Sequence, residues 1–376
     1  EGIYEVTYFS KDIAGNIERI STESVSIDKT APETFSNIEN EWLTEQFEMK
    51  LQVVDSLSGV AETYFSINGS PYTQGTSFTF EEEGIYEVTY FSKDIAGNIE
   101  PINTEIVRID KTAPETSSNI VNEWLTETFE MELQAVDVHS GVSETYFSIN
   151  GTPYTKGTRF TFEEEGIYEV TYYSTDNAGN TEQKNTEVVK VDMTAPVVTW
   201  EYSDEYELGT VVDLIYHATD SLSKISQETI LVNGKLYQHG DKLVLNKPGE
   251  YTIQLEVINH AGLVTELEKT FVVYIPLIDF EVLPKVITPN TGVFTVKVTL
   301  PSTFNSNGFD LDTITLNDVQ ALSTNNGYKQ QAKLGQFKFN RSDFEWGQQE
   351  QTLQFRGYVD GQLVVGYTMV KVQSKK

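Results

Sequence analysis

The sequence predicts an all-β protein, a series of β-sandwich modules joined end to end as an elongated rod. Three observations carry this expectation. The chain repeats itself with a fixed period. Apolar residues within each repeat alternate with polar ones. No stretch shows helical periodicity with the capping residues that would start and stop a helix.

The repeat is direct. Glu1 to Glu18 spells EGIYEVTYFSKDIAGNIE, the same string returns at Glu83 to Glu100, and EGIYEVTYYSTDNAGNTE fills Glu165 to Glu182, a period of 82 residues both times. Residues 31–112 align on 113–194 without a gap, with 61 identities in 82 positions. Identity this high marks recent duplication. Each unit opens after Asp-x-Thr-Ala-Pro, at Asp28–Pro32, Asp110–Pro114 and Asp192–Pro196. A diverged unit occupies 195–276 and keeps Asp220-Ser221-Leu222-Ser223, Asn233-Gly234 and Gly249-Glu250-Tyr251. Residues 1–30 match the second half of a unit, 83–112. Thirty residues cannot close a sandwich core, so this half-module is expected to fray or to pack on its neighbour.

Within a unit each element has its own signal. Phe47, Met49, Leu51 and Val53 alternate with Glu48, Lys50 and Gln52, the pattern of a strand with one buried face. The run Thr63 to Ile67 ends in Asn68-Gly69, which suits the positive φ angles of a tight hairpin turn. Phe78 and Phe80 mark a short strand, Ile85, Val88 and Tyr90 the strongest one, and Ile102 to Ile109 the last. About seven strands per repeat gives a turn every 8–12 residues, the spacing of a sandwich. Residues 277–376 differ: Phe294 to Pro301 alternates clearly, and Phe309 to Asn317 and Phe337 to Asp343 follow as further strand regions.

Composition excludes several classes. There is no cysteine, which removes disulfides, thiolate metal sites and cysteine nucleophiles together. A cysteine-free all-β chain fits a bacterial exported protein better than a disulfide-bearing secreted one. No run of 18 uninterrupted apolar residues occurs. The net charge is −31, yet residues 276–376 hold 9 acids and 10 bases, so the negative charge sits in the repeats. Such a surface repels nucleic acid and anionic lipid and attracts divalent cations. The chain opens on Glu1-Gly2-Ile3-Tyr4 and ends on Gln373-Ser374-Lys375-Lys376 with no sorting motif. It is expected to belong to a longer secreted or surface-attached polypeptide whose export signal lies upstream.

The paired signatures Asp-x-x-Ser-Gly-Val, Asp-x-Ala-Gly-Asn and Asp-x-Thr-Ala-Pro resemble those of bacterial immunoglobulin-like repeat domains, a family sometimes labelled an outer-membrane-protein-type β-barrel domain. The resemblance covers residues 1–275 and weakens after 196. It implies tandem immunoglobulin-like β-sandwich modules, non-catalytic parts of large secreted or surface-attached proteins. The tail is similar to the small β-sandwich accessory domain of secreted bacterial hydrolases.

Candidate sites are few. The turns Asp12 to Asn16, Asp94 to Asn98 and Asp176 to Asn180 place an Asp and an Asn four apart around a glycine. Asp folds back on its own backbone in such turns, which needs no ligand. The alternative is calcium, which takes six to eight oxygens from carboxylates, amides and carbonyls. Asp28, Asp110 and Asp192 lie in the linkers, where a cation would bridge the loops of two neighbours. Asp55 and Asp137, in the Asp-x-x-Ser-Gly turns, are expected to face the same joints. Asn259 and Leu263 replace the Asp and Asn of the turn in the diverged module, which argues against a cation there. The runs Glu81–Glu83 and Glu163–Glu165 fit solvated loops. His139, His217, His239 and His260 show no metal-ligand spacing, and His139 stands where the preceding copy has Leu57. No Gly-x-Ser-x-Gly elbow, phosphate loop or dinucleotide fingerprint occurs. Trp42, Trp124, Trp200 and Trp346 suit edge packing or, if exposed, stacking on a sugar ring. Three functions follow: a structural spacer or stalk, a monomeric rod stiffened by calcium at its joints; a carbohydrate- or cell-wall-binding or adhesion module set with the tail as reader; and the accessory tail of a secreted polysaccharide hydrolase or protease encoded upstream.

Overall fold

The computed structural model describes all residues except 278–279, 290, 306, 324–326, 348 and 374–376, so the last three residues of the C-terminal stretch lie outside the described ones. The chain divides into two compact units, Glu1–Val191 and Asp192–Lys376.

The first unit begins with an antiparallel hairpin, β1 (Gly2–Tyr8) and β2 (Ser21–Ile27), paired in register from Gly2↔Ile27 to Tyr8↔Ser21. It closes no core: Val6, Tyr8, Val25 and Ile27 are all exposed. Nor is it frayed. The ladder is local, so the hairpin keeps its hydrogen bonds without the sheet that would cover its inner face.

The first full module follows as β3 (Glu33–Ser36), β4 (Trp42–Leu43), β5 (Phe47–Val54), β6 (Val60–Ile67), β7 (Thr73–Gln74), β8 (Ser77–Phe80), β9 (Gly84–Asp94) and β10 (Asn103–Ile109). A five-stranded sheet, β4-β10-β9-β6-β7, faces a three-stranded sheet, β3-β5-β8. The expected alternation holds: Met49 and Leu51 are buried and Glu48, Lys50 and Gln52 exposed along β5. Their core partners Phe65, Val88, Tyr90, Val107 and Ile109 come from the facing sheet, and Phe80 from the neighbouring strand β8. Burying a side chain of this kind stabilises by roughly 1.5–3 kcal/mol. The second full module repeats the two sheets and the core, from Met131 and Leu133 to Val189 and Val191.

Asn68 and Gly69 both have positive φ, 49° and 72°, as the turn chemistry requires. Ser70 N–H donates to Ile67 O across the turn (3.0 Å), and the strand ladder begins further out, at Phe65↔Thr73. The diverged module has Lys235 just after its Asn233-Gly234 and forms the two-residue hairpin, with Val232↔Lys235 paired.

A buried polar network pins β3 to the facing sheet. Glu100 accepts hydrogen bonds from the backbone N–H groups of Thr34 (3.0 Å) and Ser92 (2.7 Å), and from the Thr34 hydroxyl. Ser36 donates to Glu105, which also accepts from Tyr90 (3.0 Å). Burial and the Glu105 carboxylate push the Tyr90 phenol up to about 12. Thr116, Ser174 and Glu182 repeat the Glu100 part in the next copy.

In the second unit the diverged module packs Leu214, Leu245, Ile253, Val257 and Val273 into its core. Its last strand, Val264–Pro276, continues into the tail: Ile275 and Pro276 pair in parallel with Val364 and Val365. One sheet therefore runs through the diverged module and the tail. Arg356 of the tail also makes a two-point ion pair with Glu205 of the module. The tail has its own aromatic core around Phe294, Phe337, Phe339 and Phe355.

Candidate cation-binding joints

The linker aspartates reach across each joint within the first unit. Asp28 follows β2; its Oδ1 accepts from Thr30 N (3.1 Å) and its Oδ2 from Ser58 N (2.9 Å) in the first full module. The Asp-x-x-Ser-Gly turn folds on Asp55, whose Oδ1 accepts from Leu57 N (3.3 Å) and Gly59 N. Gly59 has φ +83°, a conformation that favours glycine and lets the turn close. Asp94 ends β9. Its Oδ1 accepts from Asn98 N (2.7 Å) and its Oδ2 from Asn98 Nδ2 (2.6 Å). Three segments far apart in sequence thus deliver one carboxylate oxygen each from Asp28, Asp55 and Asp94, all within 4.8 Å of one another.

The next joint repeats the arrangement with Asp110, Asp137 and Asp176. Asp110 is fully buried and accepts from Thr112 N (3.2 Å) and Ser140 N (2.9 Å). Asp176 accepts from Ala178, Gly179 and Asn180 N–H groups at 2.7–2.9 Å. Asp110 also belongs to a second group with Glu83 and His139, whose Nδ1 lies 3.9 Å from Glu83 Oε1.

The third linker aspartate closes a different arrangement. Asp192 Oδ2 accepts from Ser223 N (3.2 Å) and from Asn259 Nδ2 (3.2 Å), and the same amide nitrogen donates to Asp220 Oδ2 (3.1 Å). Where the other joints place a third carboxylate, this one places a buried N–H donor between two carboxylates. That donor bridges the two carboxylates directly.

At the first two joints the bare carboxylates repel. Like charges this close disfavour one another's ionised form. The surroundings nevertheless favour the ionised form at three of these carboxylates. Hydrogen bonds from Ser58, with help from Thr30 N–H, keep Asp28 below the usual carboxylate range. Burial opposes the charge on Asp94, but hydrogen bonds from Asn98 and Gly97 outweigh it and lower its pKa as well. Glu83 is lowered by the N–H of Lys111, the Thr112 hydroxyl and the neighbouring His139.

The donor set fits a hard cation. Calcium–oxygen distances of 2.3–2.6 Å allow two ligand oxygens to stand at most about 5 Å apart. Each trio brings one carboxylate oxygen from each of three residues. Asp28 Oδ1 and Oδ2 each accept a single N–H and keep a lone pair, whereas Asp55 Oδ1 accepts two N–H groups and Asp176 Oδ1 three, leaving the second oxygen of those two residues as the better ligand.

Not every expected residue joins a site. Asp12 and Asn16 form the same turn, with Asn16 N and Nδ2 each donating to Asp12 at 2.8 Å, but the turn is exposed and belongs to no metal-competent group among the described residues. Asn98 and Asn180 turn amide nitrogen toward the joint: Asn98 Nδ2 donates to Asp28 O (3.3 Å), and Asn180 Nδ2 to Asp110 O (2.9 Å). They fix the linker in place. Glu83 is no solvated loop residue. It accepts from Lys111 N (3.1 Å) and the Thr112 hydroxyl, fastening the linker to its own module. The signal for this was a Glu held ahead of Gly-Ile-Tyr in every copy. Trp346 is half-buried, donates to Arg341 O (2.7 Å) and sets its ring edge-on to Phe294 and tilted against Phe344.

No family model matches the sequence, and no curated protein matches it. Solved structures similar to it include the fibronectin(III)-like modules of Clostridium thermocellum CbhA (13% identity, 42% of this chain and 94% of that one, TM-score 0.25). The ICAM-5 D1–D4 ectodomain fragment aligns at 9% identity over 91% of this chain and 100% of that one, with a TM-score of 0.42. A tetra-tandem repeat in the extending region of a large adhesion protein aligns at 11% identity over 91% and 99%, with a TM-score of 0.27.

Proposed function

We propose that this chain is a non-catalytic structural segment of an extracellular or surface-attached protein, and that its joints take up calcium. The observation that carries the reading is the convergence of Asp28, Asp55 and Asp94, repeated as Asp110, Asp137 and Asp176. Each trio combines a linker residue with two loops of the following module. A cation held by all three would fix the linker against that module and so stiffen the joint. The diverged module supports the same logic from the opposite side, because Asn259 gives its two carboxylates an internal donor.

Hard oxygen ligands and negative charge favour calcium over softer metals. Extracellular modules bind calcium at roughly 10⁻⁴ to 10⁻³ M, concentrations met outside the cell. The acidic repeats, the absence of cysteine and the lack of any helix long and apolar enough to cross a membrane among the described residues are compatible with that location. Isothermal titration with calcium should find two sites per chain, one for each three-carboxylate joint. No heat of binding up to several millimolar would refute the reading.

A further inference from the structure

We propose that Glu83, Asp110 and His139 form a zinc site at the joint between the two full modules, distinct in chemistry from the carboxylate trios. Each residue brings one ligand atom, and the three atoms lie within 4.8 Å of one another. They arrive from places far apart in sequence. Glu83 stands just before β9, Asp110 just after β10, and His139 in the Asp-x-x-Ser-Gly turn of the following module. No local spacing betrays such a group, so the histidines carry no metal signal in the sequence.

The geometry points to a shared ion rather than to direct contacts. His139 Nδ1 stands 3.9 Å from Glu83 Oε1. That is beyond a hydrogen bond, yet inside the span of two metal bonds of about 2.0–2.2 Å. Glu83 Oε2 takes the Lys111 N–H (3.1 Å), whereas Oε1 meets only the Thr112 hydroxyl (3.0 Å) and keeps a lone pair. Asp110 is 0% exposed. A carboxylate buried this deeply is ordinarily matched by a positive charge. Asp110 has only the backbone N–H groups of Thr112 (3.2 Å) and Ser140 (2.9 Å), one on each oxygen, and no Lys or Arg pairs with it among the described residues. The side chains of Glu83 and His139 are each 30% exposed, which leaves an ion a way in.

The imidazole decides which ion. Calcium takes oxygen ligands. A nitrogen beside two carboxylates suits zinc, copper or nickel, and of these zinc accepts a mixed nitrogen and oxygen set with solvent in the fourth position. The chain contains its own comparison. In the preceding copy Glu1, Asp28 and Leu57 hold the three positions. Glu1 there makes the same bonds, to Lys29 N (3.0 Å) and the Thr30 hydroxyl (2.7 Å). Only the nitrogen is missing. Asp110 also belongs to the carboxylate trio of its joint, but the zinc site needs neither Asp137 nor Asp176, and it stands or falls without calcium.

The metal-free full chain, titrated with zinc, should bind one equivalent more tightly than any other. The His139→Leu variant carries the residue of the preceding copy and should lose that equivalent. Thermal unfolding without metal should be the same in both proteins, which separates a missing ligand from a disturbed turn. The chain has four histidines, so their imidazole resonances give a second readout. Zinc should shift that of His139 and leave His217, His239 and His260 in place. Equal zinc binding by parent and variant would overturn the proposal. So would a zinc-loaded chain in which the His139 resonance does not move.

Discussion

A single side-chain atom separates the two kinds of joint. At Asp94 and Asp176 the turn ends in a carboxylate that accepts from the following Asn. At Asn259 it ends in an amide that donates to Asp192 and Asp220, and Leu263 replaces the Asn. One arrangement accumulates negative charge, and the other relieves it. The depressed carboxylates also set an acid limit. Asp28, Asp94, Glu83 and Asp220 all have folded pKa values below their ordinary ones. For Asp94 and Asp220, burial raises the value and hydrogen bonds more than reverse it. A depressed carboxylate stabilises the fold fully above its unfolded pKa, near 4, and the contribution is lost as pH falls through the folded pKa. Urea midpoints should therefore be flat near neutrality and drop between roughly pH 5 and pH 2. A midpoint unchanged at pH 3 would contradict the assigned hydrogen bonds.

At the scale of elements, β3 is held by polar contacts as much as by packing. It is four residues long and only Thr34 is buried. Glu100 satisfies two backbone N–H groups and a hydroxyl in a site closed to water. Its truncation in Glu100→Ala leaves these donors unpaired and should destabilise the first full module by about 1–3 kcal/mol. Glu182→Ala should do the same in the second, and the two effects should add, since the networks share no partner. Chemical denaturation of the single and double variants checks both points, and a loss under about 0.5 kcal/mol would show the network to be dispensable. The elements themselves were legible. Alternation from Phe47 to Val53 fixed which side chains of β5 face inward, and Asn68-Gly69 announced its positive φ. Less so was the sheet shared by Val264–Pro276 and the tail: a parallel contact between residues nearly ninety positions apart leaves no local pattern.

For the whole molecule, duplication exposes long-range structure that a single repeat would hide. The three joints were marked by Asp28, Asp110 and Asp192, and the partners Asp55 and Asp94 followed from their turns. The sequence could not supply the distances, because Asp28, Asp55 and Asp94 meet only when β5, β6 and β9 are packed. Nor did it reveal Glu83 beside His139, since the contact depends on how one module's linker lies on the next. The hairpin of residues 2–27 shows the reverse case. Residues 1–18 carry the string of 83–100, and their pairing from Gly2 to Tyr8 follows that of Gly84 to Tyr90.

The central claim, that carboxylate trios at the joints hold calcium, is tested most directly by thermal unfolding of the full chain with millimolar calcium and with a chelator. It is compared with a variant in which Asp94→Asn and Asn98→Leu, together with Asp176→Asn and Asn180→Leu, give both joints the residues of the diverged module. Calcium should raise the unfolding temperature of the parent by mass action. The variant should stay folded and unfold at one temperature in both conditions. An equal response to calcium in the two proteins, or none in the parent, would contradict the account.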